Sequence, residues 1–284
     1  MLGRHKKIRE PAFYKSKTNI DTINYRVYYM AFWERILYFM VAAIIGAAIV
    51  YLFYGGVGKN EFGEPTEVTY KFNIISMLIG GCLAGYLFLG VRTKKIIDKR
   101  KNDLKLQFRE LLESLTTSIA SGMTIVDSLR VAQEDLEAIY PSDAYIIQEL
   151  NVIRSGMNNN INIEELFEDL GKRSDIEDIH NFACVFEICY RKGGNMKDII
   201  KSTHQIISEK MEVEQTIETV VAGSKNESNI MMVMPIGLIG VIKLMSPEFA
   251  SNFVTPAGLI ATTVAIAMFI AAYFIGRTIL NIKI

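Results

Sequence analysis

The chain has 284 residues, half of them apolar and 22% charged, with a formal net charge of zero. Its mean hydropathy is positive. Such a chain is too apolar for an ordinary soluble domain and too charged for a bare bundle of membrane spans.

Residues 1–31 form a basic arm: residues 1–33 carry seven Lys/Arg against two Asp/Glu. Its Tyr, Arg and Lys fit either an interfacial arm on anionic lipid or an ordinary cytoplasmic flank. Two apolar stretches follow, 32–54 and 72–91, and make residues 32–91 a pair of transmembrane helices, since about 20 apolar residues cross the hydrocarbon core. The first is expected to serve also as the insertion signal. Between them, residues 55–71 carry Lys59 and Lys71 against Glu61, Glu64 and Glu67. A basic run comes next: Arg92, Lys94, Lys95, Lys99, Arg100 and Lys101.

Residues 92–229 read as helix throughout, with Pro141 the only proline. Apolar residues recur at spacings of three and four in six runs, which begin at Leu104, Ile125, Ile146, Ile163, Ile179 and Met196. Thr124, Asn162, Ser174 and Asn195, each followed three residues later by an acid, are the expected helix N-caps. Gly122, Gly156, Gly171 and Gly193, with Gly194, are the expected stops and turns. Short connections then make three helical hairpins, an antiparallel six-helix bundle. The first and last of these helices show no break from the neighbouring spans, so the bundle is expected to hang on two helical stalks. Residues 93–229 hold 17 Lys/Arg against 24 Asp/Glu, with the bases near the membrane and the acids distal. That acidity suits a solvated face or the docking of a basic cytoplasmic partner.

Residues 230–284 supply a second pair of transmembrane helices, 230–245 and 256–280. The first of these is short before Pro247 and extends backward into the helical block. The loop 246–255 carries only Glu248, and the tail carries Arg277 and Lys283. Cytoplasmic flanks are enriched in Lys/Arg, so four spans are expected, with both termini and the large middle block inside. The fold class is thus all-α, multi-pass, with a cytoplasmic bundle. Gly81 and Gly85 are spaced for close helix packing, as are Ala42 and Gly46, either within one chain or between copies. Pro235, with Gly237 and Gly240, predicts a pliable, kinked third span.

No catalytic or ligand constellation is visible. Gly55-Gly-Val-Gly-Lys59-Asn60 lacks the first glycine and the hydroxyl of a phosphate loop and follows a span. His5, His180 and His204 are isolated. Cys82 lies in a span; Cys184 and Cys189 lack a zinc spacing and read as small core residues. Lys243, the only deep charge in the spans, reads as snorkelling to the interface. Neither metal, cofactor nor nucleic-acid partner is expected.

The run FRELLESLTTSIASGMTIVDSL (108–129), then EICYRKGGNMKDII (187–200), then MVMP (232–235) together resemble the type II secretion F-domain family over about residues 92–280. One such domain between two pairs of spans is most similar to the platform proteins of the tight-adherence (Tad) pilus. The resemblance implies a non-enzymatic protein of the cytoplasmic (inner) membrane bilayer, expected to be oligomeric. Its implied partners are a hexameric secretion ATPase, a sister F-domain protein and pilin subunits. In the second signature an acid often precedes the glycine, whereas Arg191 and Lys192 stand here. A small transporter or channel with a regulatory bundle is the alternative, and a receptor or signalling scaffold is a third reading.

Overall fold

The computed structural model describes residues 10–16, 19–57, 66–246, 252, 253 and 255–280. Expectations for His5 and the rest of 1–9, for Lys59, Asn60, Glu61 and Glu64, for Glu248 and for Lys283 lie outside the described residues. The chain opens with β1 (Phe13–Lys15) and β2 (Asp21–Ile23), followed by α1 (Phe32–Tyr54), α2 (Glu67–Ala120), α3 (Ile125–Ile139), α4 (Tyr145–Asn158), α5 (Ile163–Ser174), α6 (Glu177–Lys192), α7 (Met196–Met245) and α8 (Pro256–Leu280). The all-helical reading holds except for the small antiparallel hairpin, in which Phe13 faces Ile23, Tyr14 faces Thr22 and Lys15 faces Asp21. Asn19, left-handed at φ 61°, turns the chain between its strands.

Contacts divide the chain into two units: residues 1–29 with 93–212, and residues 30–92 with 213–284. The arm therefore belongs with the helical block. In that first unit each helix buries one stripe. Leu104, Phe108, Leu111 and Leu115 of α2 share a core with Leu129 and Leu136 of α3, Ile146 and Leu150 of α4, Phe167 and Leu170 of α5, Phe182 and Phe186 of α6, and Ile200 and Ile207 of α7. Phe182 is the hub of an aromatic cluster, 5.3 Å from Phe108 and 5.4 Å from both Phe167 and Phe186, ring to ring. Each such side chain contributes about 1.5–3 kcal/mol on burial.

The helix ends are closed in three ways. Gly122 sits at φ 89°, and the N–H groups of Gly122 and Met123 close back onto the carbonyls of Ile119 and Ser118. Gly193, at φ 75°, ends α6 in the same left-handed region, and Gly194 N–H donates to the Cys189 carbonyl at 2.8 Å. The end of α4 corrects the sequence reading. Gly156 lies inside α4, and the left-handed residue is Asn160 at φ 58°, with the N–H groups of Asn160 and Ile161 donating to Met157 and Gly156. Gly156 is needed for space: a Cβ there would lie 2.4 Å from Leu166 Cδ2. Gly171 is likewise internal to α5, facing Ala183 and the His180 backbone of α6.

Among the expected N-caps, Thr124 Oγ1 accepts from Asp127 N–H at 3.2 Å. Asn162 occupies the cap position of α5, but its amide donates to Glu165 instead. Asn195 precedes α7 and its amide donates to Asp198. Ser174 is a correction: it is the last residue of α5, Asp175 turns left-handed at φ 54°, and Ile176 takes the cap position of α6. Its hydroxyl instead braces the turn, donating to the Gly171 carbonyl and accepting from Ile176 N–H. The uncapped start of α4 is served by another helix, since Gln107 of α2 accepts from Ile146 N–H at 3.0 Å.

In the second unit, α1, the first part of α2 and α8 are long and apolar enough to cross a membrane. Residues 230–245, expected as a further span, are the apolar end of α7 and fall short of that length on their own. Gly81 and Gly85 of α2 serve contact within the chain. A Cβ on Gly81 would lie 2.8 Å from the Ala43 carbonyl oxygen, and one on Gly85 would lie 2.6 Å from Phe39. Gly46 is as close to Ala84, at 2.5 Å. Gly81→Ala is therefore expected to destabilise by about 1–3 kcal/mol through overpacking, despite a helix-propensity gain of about 1 kcal/mol. Gly90→Ala, where a Cβ meets nothing within 4 Å, should raise stability. Thermal midpoints of the detergent-solubilised chain check both.

Candidate functional site

Three arrangements of charged side chains stand out in the first unit. The first is the outer face of α3. Its inward stripe is Leu129, Ala132 and Leu136, which leaves Asp127, Glu134, Asp135 and Glu137 exposed, with Asp143 exposed in the turn beyond. Ser114 of α2 donates to Asp135 at 2.6 Å and Gln133 donates to Glu137 at 2.6 Å, so two of these acids are held in place. Tyr140 closes the helix by donating to Glu110 of α2 at 2.6 Å. Burial, then the hydrogen bond and charge of Glu110, push that phenol up to about 12.

The second is a clamp on α2 and α7. Asp178 stands in the first turn of α6, where a carboxylate is favoured by the helix dipole. It receives Lys210 of α7 at 3.1 Å and Lys105 of α2 at 3.6 Å. Lys105 and Asp178 are both largely buried, so water screens this pair less than it would a surface pair. One carboxylate thus ties together the two longest helices of the chain.

The third is the seat of the N-terminal arm, which the sequence reading missed. Tyr25 is 0% exposed. Its hydroxyl donates to Glu149 Oε1 of α4 at 2.9 Å, and its ring stands edge-on to Tyr145 at 5.8 Å. Glu149 also accepts from the two terminal guanidinium nitrogens of Arg173 of α5, Nη1 at 3.1 Å and Nη2 at 2.7 Å, while Arg173 Nε donates to Asp169 at 2.7 Å. Burial alone would lower the Arg173 pKa, but Glu149 and then Asp169 hold it above its ordinary value. The Tyr25 phenol is pushed well above the usual tyrosine range, by burial first and the Glu149 carboxylate second. Around this centre Arg26 reaches Asp175 at 3.4 Å, Lys101 reaches the same carboxylate at 2.5 Å, and Arg100 lies over the Tyr28 ring at 4.3 Å. The arm is thus packed on α2, α4 and α5. The Tyr/Arg/Lys mix of the arm, with Tyr25, Tyr28 and Tyr29 close together, was the only sequence signal near it.

Arg191, the departure in the second signature, pairs with Glu164 of α5 at 3.3 Å and with Glu187 at 3.3 Å. Glu164 is buried and its second oxygen has no protein partner, so a cation is what this position requires. Cys184 is exposed, contrary to the core reading, and Cys189 is partly buried against Gly194; Cys82, in α2, is exposed. His180 lies exposed on α6, and His204 of α7 stands 3.9 Å from Glu113. No group of residues suited to a metal ion occurs among the described residues.

In the second unit, α7 runs unbroken through Pro235, which has no N–H to offer the Met231 carbonyl. Pro235 lines an apolar cavity of about 230 Å³ with Ile49, Phe53, Ile266 and Tyr273. Lys243 donates to the Phe53 carbonyl at 3.4 Å and lies 5.3 Å from the Phe253 ring centre.

No curated protein and no solved structure matches the chain. Residues 111–243, from near the end of α2 to near the end of α7, match the family model of the type II secretion system (T2SS), protein F, and this supports the T2SS F-domain family for that stretch.

Proposed function

We propose that the chain is a non-enzymatic platform protein of the cytoplasmic membrane in a Tad-type pilus or type II secretion machine. In this reading it couples a hexameric secretion ATPase to the extraction of pilin subunits and filament assembly, beside a sister F-domain protein. The F-domain match over residues 111–243 carries the reading. The apolar helices of the second unit support a membrane location. The distribution of Lys and Arg supports a cytoplasmic helical block and cytoplasmic termini. The acidic face of α3 is the docking surface for the ATPase, and α2 and α7, joined at Asp178, carry its displacement toward the pilin-facing spans.

Charge reversal tests this. Glu134→Lys, Glu137→Lys and Asp143→Lys together are expected to cut co-purification of the ATPase with the full-length protein at least tenfold and to abolish filaments, at unchanged protein level. The residual association should weaken further with salt, as exposed charges are screened. Unchanged ATPase recovery and piliation would remove α3 as the docking face.

A further inference from the structure

The α3–α4 pair carries a second feature, and it differs in charge from the acidic face. A groove of about 330 Å³ runs between these helices, at the lower end of the range for ligand pockets, about 300–1,000 Å³. Its floor is apolar, from Leu129 of α3 and Leu150, Ile153 and Met157 of α4, and Val126, 50% exposed, stands on its α3 wall. Two arginines line it from opposite sides, Arg130 on α3 and Arg154 on α4. Residues 110–192 contain only six Lys/Arg in all, so two of the few cations in an acidic region meet at one groove.

Neither arginine is absorbed by a close carboxylate. Arg130 stands 4.0 Å from Glu134, both about two-thirds exposed, and such a pair in water holds its partners weakly. Arg154 is steadied by the Asn151 side-chain oxygen at 3.2 Å, to which Gln133 also donates at 3.0 Å. Asp127, the one acid lining the groove, is engaged by the Thr124 hydroxyl at 2.7 Å.

We propose that this groove docks an amphipathic helical segment of a partner protein, with apolar side chains at helical spacing entering between α3 and α4 and carboxylates on either side meeting Arg130 and Arg154. An apolar slot admits the face of a helix, and the paired guanidiniums select acidic over basic segments. This groove adjoins the acidic face offered to the ATPase and shares Asp127 with it, and a partner engaging both would need a basic patch and an acidic helix.

The test places a photoreactive benzoylphenylalanine at Val126 of the full-length protein in its native membranes and identifies the crosslinked peptide. The expected adduct is a partner segment with apolar residues at i, i+3 or i+4 and i+7, flanked by Asp or Glu. Its yield should fall at least tenfold in Arg130→Glu/Arg154→Glu and stay level in Lys197→Glu, an exposed cation outside the groove. A basic or unpatterned segment, lipid, a second copy of this chain, no adduct at all, or an adduct indifferent to charge reversal would each overturn the proposal.

Discussion

Glu149→Ala is expected to destabilise the helical block by about 3–5 kcal/mol, the range for removing one partner of a buried ion pair. The carboxylate and guanidinium side chains are 3% and 6% exposed. Without Glu149 the Arg173 Nη2 loses its acceptor and Nη1 keeps only the Ile23 carbonyl at 3.5 Å, in a site nearly closed to water, and Asp169 remains to offset the charge. The Tyr25 hydroxyl is orphaned by the same change. Glu149→Gln keeps an acceptor and should cost less. The double replacement Glu149→Leu/Arg173→Met should recover most of the loss, because buried pairs exchanged for apolar residues are often neutral. Thermal midpoints of the full-length chain in detergent, with hydrogen exchange across α4 and α5, give the comparison. A Glu149→Ala protein as stable as the parent, with unchanged exchange, would mean that the pair is hydrated in solution.

Tyr25→Ala should release the arm without unfolding the helices. Truncating a buried aromatic ring costs about 3–5 kcal/mol, but the loss here is capped by the free energy of docking the arm, since a segment that opens locally stops contributing. Amides of residues 10–29 are therefore expected to exchange far faster, and the chain to become cleavable by trypsin after Lys15 and Arg26. Tyr25→Phe keeps the ring and removes only the hydrogen bond to a carboxylate, worth about 1.5–3 kcal/mol, so protection should fall only partly. The pH dependence has a definite sign. A phenol whose folded pKa is raised stabilises the docked state fully below its unfolded value of about 10, and the contribution is lost as pH rises through the folded value. The arm should thus stay seated through pH 10 and detach only above it; Tyr140, held at about 12, follows the same sign between about 10 and 12. The phenolate absorbance of the parent minus that of Tyr25→Phe should show no step near pH 10. A step there would mean that the ring is solvated.

Much of the helical layout was legible because burial leaves a period in the sequence. The stripes of Leu104, Phe108, Leu111 and Leu115, or of Ile179, Phe182 and Phe186, follow from one face of a helix meeting a core. Glycine was harder to interpret, because it serves two ends. Gly122 and Gly193 supply a left-handed turn, whereas Gly156 and Gly171 supply room for a neighbour, and only the neighbour distinguishes the cases. Asn160 and Asp175 took the turns that those two glycines were expected to make, as short polar side chains tolerate that region. Ser174 misled for a related reason: the spacing to Glu177 fits a cap, yet the hydroxyl braces the preceding turn. The pairing that seats the arm could not be read from either segment. Tyr25 and Glu149 are 124 residues apart, and neither sits in a periodic run that would pair them.

Asp178 has a mechanical meaning beyond its contribution to stability. Because Lys105 and Lys210 meet on one carboxylate in the first turn of α6, α6 acts as a yoke. A force applied anywhere along it divides between α2 and α7 and moves them as a pair, where two separate anchors would let one slip past the other. Cutting either arm of the yoke, with Lys105→Met or Lys210→Met, leaves the other helix still harnessed, so the two single changes should differ in kind from Asp178→Asn, which uncouples both at once.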